Sequence, residues 1–307
     1  MRFKGLDLNL LVVLDALLAT RNVSHAGERL NLSQSATSGA LARLRAYFND
    51  ELLVQKGRTM VPTDLGMMLQ PEVRGALMQI EGTIISRPGF DPMHEQRTIR
   101  IIASDYVAIT WLAPVIANLE ADAPGLRFEV ASPLQDPVIE LNTGAADLLL
   151  MPDKYLANDH PSAPCFEDSY CAIAWTENQL VGDTLEVTTF YQLGHVDTVF
   201  PTMSPGYSDW FMRQSGHERR IEARVGSFTA LPHFVIGTNR IAVVHQRLAN
   251  QFANHLPLRV LSIPIAIPKL VERLQWHRNA NENECLTWVK DRILAGSGID
   301  NADIKNQ

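Results

Sequence analysis

Cysteine is scarce in this chain: Cys165, Cys171 and Cys285 are the only three in 307 residues. An odd set with no close spacing supplies neither a disulfide framework nor a metal-type pairing. A reducing cytoplasm is the simplest setting for such thiols. No stretch approaches the roughly 18 consecutive apolar residues of a membrane-spanning helix. The apolar residues near the N-terminus are interrupted by Lys4, Asp7, Asn9 and Asp15, so no signal peptide is expected. There is no Gly-rich phosphate loop, no Gly-x-Ser-x-Gly elbow and no Cys-x-x-Cys, and the nine histidines form no His-Glu-x-x-His pair. These absences argue against an enzyme, a resident metal and a cofactor. Low-complexity segments and short repeats are also lacking.

What remains is an ordinary globular composition, 46% hydrophobic and 20% charged, long enough for two to three folding units at about 150 residues each. The net charge of −7 is unevenly spread. Residues 1–90 hold ten Lys/Arg against eight Asp/Glu, leaving the rest at −9. A nearly neutral head on an acidic body is compatible with DNA binding if its cations share one face.

The first sixty residues read as short helices and a hairpin. Leu6, Leu10, Leu14, Leu17 and Leu18 recur at helical spacing. A second helix follows Asn22, and Asn31-Leu32 is a turn. Ser33 can cap a third helix whose apolar face is Ala36, Ala40, Leu41, Leu44 and Phe48. Short strands flank a hairpin tip at Lys56-Gly57-Arg58. Thr63 then caps a helix with the stripe Leu65, Leu69, Val73, Leu77, Ile80 and Ile84, interrupted by Pro71, which should kink it. Pro88-Gly89 with Pro92 marks a boundary. From Arg97 onward strands alternate with helices, which predicts largely parallel sheets in an α/β domain.

Three helices and a two-stranded wing make a winged helix-turn-helix, whose third helix enters the major groove. Opposite the apolar face stand Gln34, Ser35, Thr37, Ser38, Arg43 and Arg45, suited to base edges and phosphates. Lys56 and Arg58 on the wing could reach phosphate or the minor groove. Read from residues alone, the same pattern also fits a helical subdomain with polar outer faces.

The segment Val23-Ser-His-Ala-Gly-Glu-Arg-Leu-Asn-Leu-Ser-Gln-Ser-Ala-Thr-Ser38 resembles the helix-turn-helix of LysR-type transcriptional regulators. The similarity runs on through Ala40-Leu-Ala-Arg-Leu-Arg45, Leu52-Leu53, Gly57-Arg58 and Pro62-Thr63. Met1-Arg-Phe-Lys-Gly-Leu-Asp-Leu-Asn-Leu-Leu-Val12 and Ile84-Ile-Ser-Arg-Pro-Gly-Phe-Asp-Pro92 resemble the nodulation-regulator (NodD-like) branch. Gly144-Ala-Ala-Asp147 fits the family's effector domain. Trp276-His277 and Trp288 are similar to the salicylate-sensing (NahR-like) branch. Two departures stand out: Ser35 where many members have Pro, and Gly39 where many have a large polar residue.

The resemblance implies an α+β multi-domain protein. A winged helix-turn-helix would span 1–63, and a dimerising linker helix and hinge 64–92. A two-lobed α/β effector domain like the periplasmic binding proteins would span 93–307. Lobe one is expected at about 97–168 plus 269–307, and lobe two at about 169–268. It also implies double-stranded operator DNA, a homodimer or tetramer, RNA polymerase and a small aromatic inducer as partners, with no membrane and no cofactor. The outcome would be activation of a nearby operon. The alternatives are repression of its own or a neighbouring gene, or a two-lobed binding protein that does not act on DNA. The linker stripe could pack on its own chain, but pairing with a second copy is the preferred expectation.

The effector site is expected between the lobes, outside the C-terminal ends of the strands. Ser104, Asp105 and Tyr106 follow the first strand there, and Ser132 and Pro133 the second. Phe200 and Thr202 end a strand of lobe two, Ser227-Phe228 is expected to open a helix, and His245 ends a further strand. Free hydroxyls at helix starts favour an anion, and Tyr106, Phe200 and Phe228 suit an aromatic ring. Ordinary packing or capping explains each of these singly; together they outline a cleft.

Overall fold

The computed structural model describes residues 2–3, 5–57, 59–80, 90–133, 136–200, 218–280 and 283–296. The chain divides into two compact units. One comprises Met1–Asp91, Val138–Asp147 and Trp276–Trp288, and the other Pro92–Pro137, Leu148–Gln275 and Val289–Gln307.

The first unit opens with β1 (Arg2–Phe3) and β2 (Leu6–Asp7), then α1 (Asn9–Thr20), α2 (Val23–Arg29) and α3 (Gln34–Phe48). Local chemistry sets the helix ends. The Asn22 side chain accepts from the Ser24 and His25 N–H groups at 2.9 and 3.1 Å, which satisfies two donors at the start of α2. Asn31, at φ 54°, takes the left-handed conformation that Asn tolerates, and turns the chain. Ser33 Oγ then accepts the Ala36 N–H at 3.2 Å and starts α3. The wing is the antiparallel pair β3 (Leu53–Lys56) and β4 (Thr59–Pro62).

Helix α4 (Asp64–Ile80) is capped as expected, with Thr63 Oγ1 accepting the Gly66 N–H at 3.1 Å. It runs through Pro71 without a break in its helical assignment. Ile84 lies outside the described residues. The stripe packs on its own chain: Val73 is buried in the core with Leu14, Leu17, Leu18, Leu41 and Leu44, and Leu65, Leu69 and Leu77 pack against it. Leu65, Leu69 and Leu77 are only partly buried within the single chain, so this packing does not oppose the expected pairing with a second copy. The side of α4 left exposed carries Met67 and Met68. At Gly66 a Cβ would meet the Leu52 carbonyl oxygen, so helix and wing touch backbone to backbone. Arg74 of α4 pairs with Asp15 of α1 at 3.3 Å, both side chains largely buried. Arg74 also lies against Gly144, whose φ of 65° and missing Cβ leave room for the guanidinium.

The second unit holds two five-stranded sheets. One has the order β6–β5–β7–β14–β8, from β5 (Thr98–Ala103), β6 (Arg127–Ala131), β7 (Leu148–Pro152), β8 (Ser162–Asp168) and β14 (Leu270–Trp276). The other has the order β11–β10–β12–β9–β13, from β9 (Tyr170–Trp175), β10 (Gly194–Thr198), β11 (Arg220–Val225), β12 (Ile241–His245) and β13 (Leu258–Ser262). The expectation of largely parallel sheets needs correction, because both sheets are mixed. β5 pairs parallel with β6 and β7, and β10 with β11 and β12. The strands that carry the chain from one sheet to the other, β8 and β9, pair antiparallel. Short helices connect the strands: α5 (Asp105–Val107), α6 (Ala113–Leu119), α7 (Pro137–Asn142), α8 (Val187–Gln192), α9 (Leu231–Val235) and α10 (Gln246–Ala253); the longer α11 (Glu284–Ala295) follows the last strand. A π-helical stretch, Ala108–Leu112, joins α5 to α6.

Candidate DNA interface and effector cleft

Burial settles which face of α3 looks outward. Thr37 is fully buried and its hydroxyl donates to the Ser33 carbonyl at 3.1 Å, whereas Ala36 is exposed. Both expectations are corrected: the inward face is Thr37, Ala40, Leu41 and Leu44, with Thr37 inside where Ala36 was expected. The cause is close packing on α2, where a Cβ at Gly27 would stand 2.9 Å from Thr37 Oγ1. A small polar residue fits that gap.

Arg45 is held at the wing. Its Nε donates to the Glu51 carbonyl at 2.8 Å and its Nη2 to the Leu53 carbonyl at 2.7 Å, and it pairs with the Glu51 carboxylate. This half-exposed guanidinium braces the wing against α3. Gln34, Ser35, Ser38 and Arg43 remain exposed, and so does Lys56 at the wing tip. Ser35 Oγ lies 3.0 Å from Ser33 Oγ, and Arg43 makes only a loose 3.9 Å contact with Asp7. Gly39 faces open space, so the outward surface Ser35-Ser38-Gly39-Ala42 is made of small residues that allow close approach. Sequence reading did not single out Ala42, although helical spacing from Ser35 was the available signal. Arg58 lies outside the described residues.

In the second unit several of the expected effector residues meet. Ser104 Oγ accepts the Val107 N–H at 3.3 Å and caps α5. The Asp105 carboxylate accepts the Phe228 N–H at 3.2 Å, the Thr229 N–H at 2.8 Å and the Thr229 hydroxyl at 2.9 Å. That hydroxyl lies 3.3 Å from Ser227 Oγ. Contrary to expectation, Ser227-Phe228 does not open a helix; it forms the turn ahead of α9, which begins at Leu231.

The rings cluster beside this clasp. Tyr106 stacks on His245 at 3.8 Å, and Phe228 meets His245, Phe200 and Tyr106 at 4.8, 5.3 and 6.2 Å. Ser132 is exposed and makes no hydrogen bond among the described residues; Pro133 is buried beside it. Thr202 lies outside the described residues.

Behind the rings is a polar group that sequence reading missed. The Tyr106 hydroxyl donates to Asp168 Oδ2 at 2.6 Å, and the N–H groups of Ser169 and Arg247 donate to the same carboxylate. The Arg247 guanidinium stands over the rings of Trp111 and Phe166 at 5.6 and 5.2 Å. Burial pushes the Asp168 carboxyl above its ordinary value, partly opposed by the Tyr106 bond. Burial and the Asp168 charge push Glu272 well up and Tyr106 up. Burial alone drives His245 down to about 3, so it is neutral. No local motif announces this group, because its members come from four strands and helices far apart in sequence.

A cavity lies elsewhere in the same unit. It has a volume of about 400 Å³ and is lined by Gln192, Gly194, Arg220, Glu222 and Arg240, where β10 and β11 begin. The expected cleft lies at the opposite strand ends, where the rings of Tyr106, His245, Phe228 and Phe200 meet. Among the described residues no group of three or more His, Cys, Asp or Glu could hold a metal. No helix among them is long and apolar enough to cross a membrane. The three cysteines are unpaired in disulfides, and burial pushes Cys171 up to about 12.

A winged helix-turn-helix followed by an α/β unit of two five-stranded sheets defines a DNA-binding regulator with a sensing body. Residues 8–67 match the family "Bacterial regulatory helix-turn-helix protein, lysR family", and residues 93–297 match the "LysR substrate binding domain". The chain belongs to the LysR family of transcriptional regulators. It is 38% identical over 296 residues to nodulation protein D 3 of Rhizobium meliloti (strain 1021), covering 96% of this chain and 94% of that one. It is 40% identical over 301 residues to nodulation protein D 2 of Rhizobium tropici, covering 97% and 95%. Among solved structures, "probable transcriptional regulator PA0477" from Pseudomonas aeruginosa aligns with a TM-score of 0.66 at 29% identity, over 94% of this chain and 97% of that one. Full-length CbnR in complex with its target DNA shares the fold at a TM-score of 0.51 and 14% identity, over 95% and 100%.

Proposed function

We propose that the protein binds operator DNA as a two-fold symmetric dimer and activates a nearby operon when a small aromatic molecule enters the cleft around Asp105, Tyr106, Phe228 and His245. The observation that carries the DNA half is the exposed face of α3. Gln34, Ser35 and Ser38 offer hydrogen bonds to base edges, and Gly39 leaves room for the groove. Arg43 and Lys56 supply phosphate contacts. Two copies would present two recognition helices to half-sites one helical turn apart. The ring cluster supports the aromatic half, because stacked and edge-on rings accept a further ring in the same geometries. The effector acts by binding one arrangement of the body better than the other, and RNA polymerase is the partner that reads the change. The name carried by the nodulation protein D relatives makes a nodulation-type operon one candidate target; an operon for aromatic degradation is the other.

The test is footprinting on the DNA upstream of the protein's own gene at two salt concentrations, with and without a panel of phenolics. Specific protection that weakens with salt and shifts with one phenolic is expected. A Gln34→Ala, Ser38→Ala, Lys56→Ala triple variant that protects the same site equally well would overturn the interface.

A further inference from the structure

The Phe228 and Thr229 N–H groups and the Thr229 hydroxyl converge on one point, and a carboxylate already sits there: that of Asp105. Three convergent donors at 2.8 to 3.2 Å are how proteins hold an anion. Here the anion belongs to the protein, on α5 after β5, while the donors precede α9. Two further observations concern what else the cleft takes. His245 Nδ1 and Glu272 Oε2 are buried without hydrogen-bond partners, in side chains that are 4% and 2% exposed. An unpartnered buried polar atom is costly and marks a place for a ligand's polar group. The carboxyl groups of Asp105, Asp168 and Glu272 line the region, with Arg247 as the cation beside Asp168. The Asp105 carboxylate repels a second anion at these donors, whereas an uncharged hydroxyl can pair with the orphaned His245 nitrogen.

We infer that Asp105 is the specificity-determining residue of the cleft. Its carboxylate takes the position an effector's anionic group would take on the Phe228 and Thr229 N–H groups, so the protein accepts uncharged hydroxylated aromatics and rejects aromatic carboxylates. This rests on the reading of the cleft as the effector site. Removing the carboxylate frees three donors and lifts the repulsion, which opens the position to an acid.

Salicylamide and salicylate differ in charge at nearly constant shape and are the probes. Titrations at pH 7 use the full-length wild type, Asp105→Ala and Asp105→Asn. Wild type should bind salicylamide and bind salicylate at least about tenfold more weakly; Asp105→Ala should gain salicylate affinity by about tenfold or more. Asp105→Asn, which keeps the volume and one acceptor, should shift the same way by less, and it serves if the alanine variant does not fold. Equal binding of the two compounds by wild type, or unchanged charge selectivity in both variants, overturns the role of Asp105. A Phe228→Ala control separates the two readings. If salicylamide binds Phe228→Ala as tightly as wild type, or if neither compound binds any form, the cleft reading fails and this inference with it.

Discussion

Replacing Tyr106 by Phe removes one oxygen from a fully buried ring and leaves its stacking on His245 in place. The lost bond is the 2.6 Å donation to Asp168, whose carboxylate keeps the N–H groups of Ser169 at 2.8 Å and Arg247 at 3.3 Å. A hydrogen bond to a charged group contributes about 1.5–3 kcal/mol, and one to a neutral group about 1 kcal/mol. The charge state of Asp168 therefore sets the size of the loss. Burial already raises its folded value above the ordinary 3.8, and removing the Tyr106 donor raises it further. A carboxyl raised on folding favours the folded state when protonated. That contribution fades as pH rises from about 3.8 through the folded value. Once pH exceeds the folded value the variant should thus lose about 2–3 kcal/mol, against about 1 kcal/mol below pH 4, where the carboxyl is protonated. Urea unfolding followed by tryptophan fluorescence reports it, because Trp111 stacks on Phe166 at 4.5 Å beside the group. A loss that is equal in both pH ranges, or larger in acid, would refute the account.

Four further outcomes follow from other parts of the molecule. Gly39→Ala should stabilise the head by about 1 kcal/mol in thermal unfolding, because the added Cβ meets open space in a helix interior; Gly66→Ala should destabilise it, because its Cβ would strike the Leu52 carbonyl. Arg74→Met should cost about 3 kcal/mol by removing one partner of a buried ion pair; a double variant with Asp15→Leu that recovers none of this would show that the pair is not the cause. His195, whose Nε2 lies 2.7 Å from the Phe190 carbonyl, is pushed down to about 4 by burial. Its contribution is complete above pH 6.5 and is lost as pH falls from there towards 4, so His195→Asn should flatten that part of the stability curve measured by urea unfolding.

Much of the head was legible from residues alone. Ser33 and Thr63 cap the helices they were expected to cap, and Asn22 caps the helix expected to follow it, because a cap is a contact with an N–H two or three residues ahead. The strand–helix rhythm of the body was legible for the same reason, since each strand announces itself by its own apolar run. Errors entered where a contact joins distant residues. Small apolar Ala36 and small polar Thr37 could exchange faces, and the close approach of Gly27 put Thr37 inside. Nothing local announced that Arg45 would hold the wing's carbonyls.

The residue sequence by itself determined the family, the order of the elements in the head and where α2, α3 and α4 begin, the helix starts depending on neighbours within about one helical turn. The tertiary structure alone decided that the α4 stripe packs on α1, that Arg74 meets Asp15 across 59 positions, and that Asp105 finds its N–H partners 123 and 124 positions away. Those pairings depend on how packed helices and two mixed sheets bring remote backbone together, and no local pattern of residue types encodes that distance.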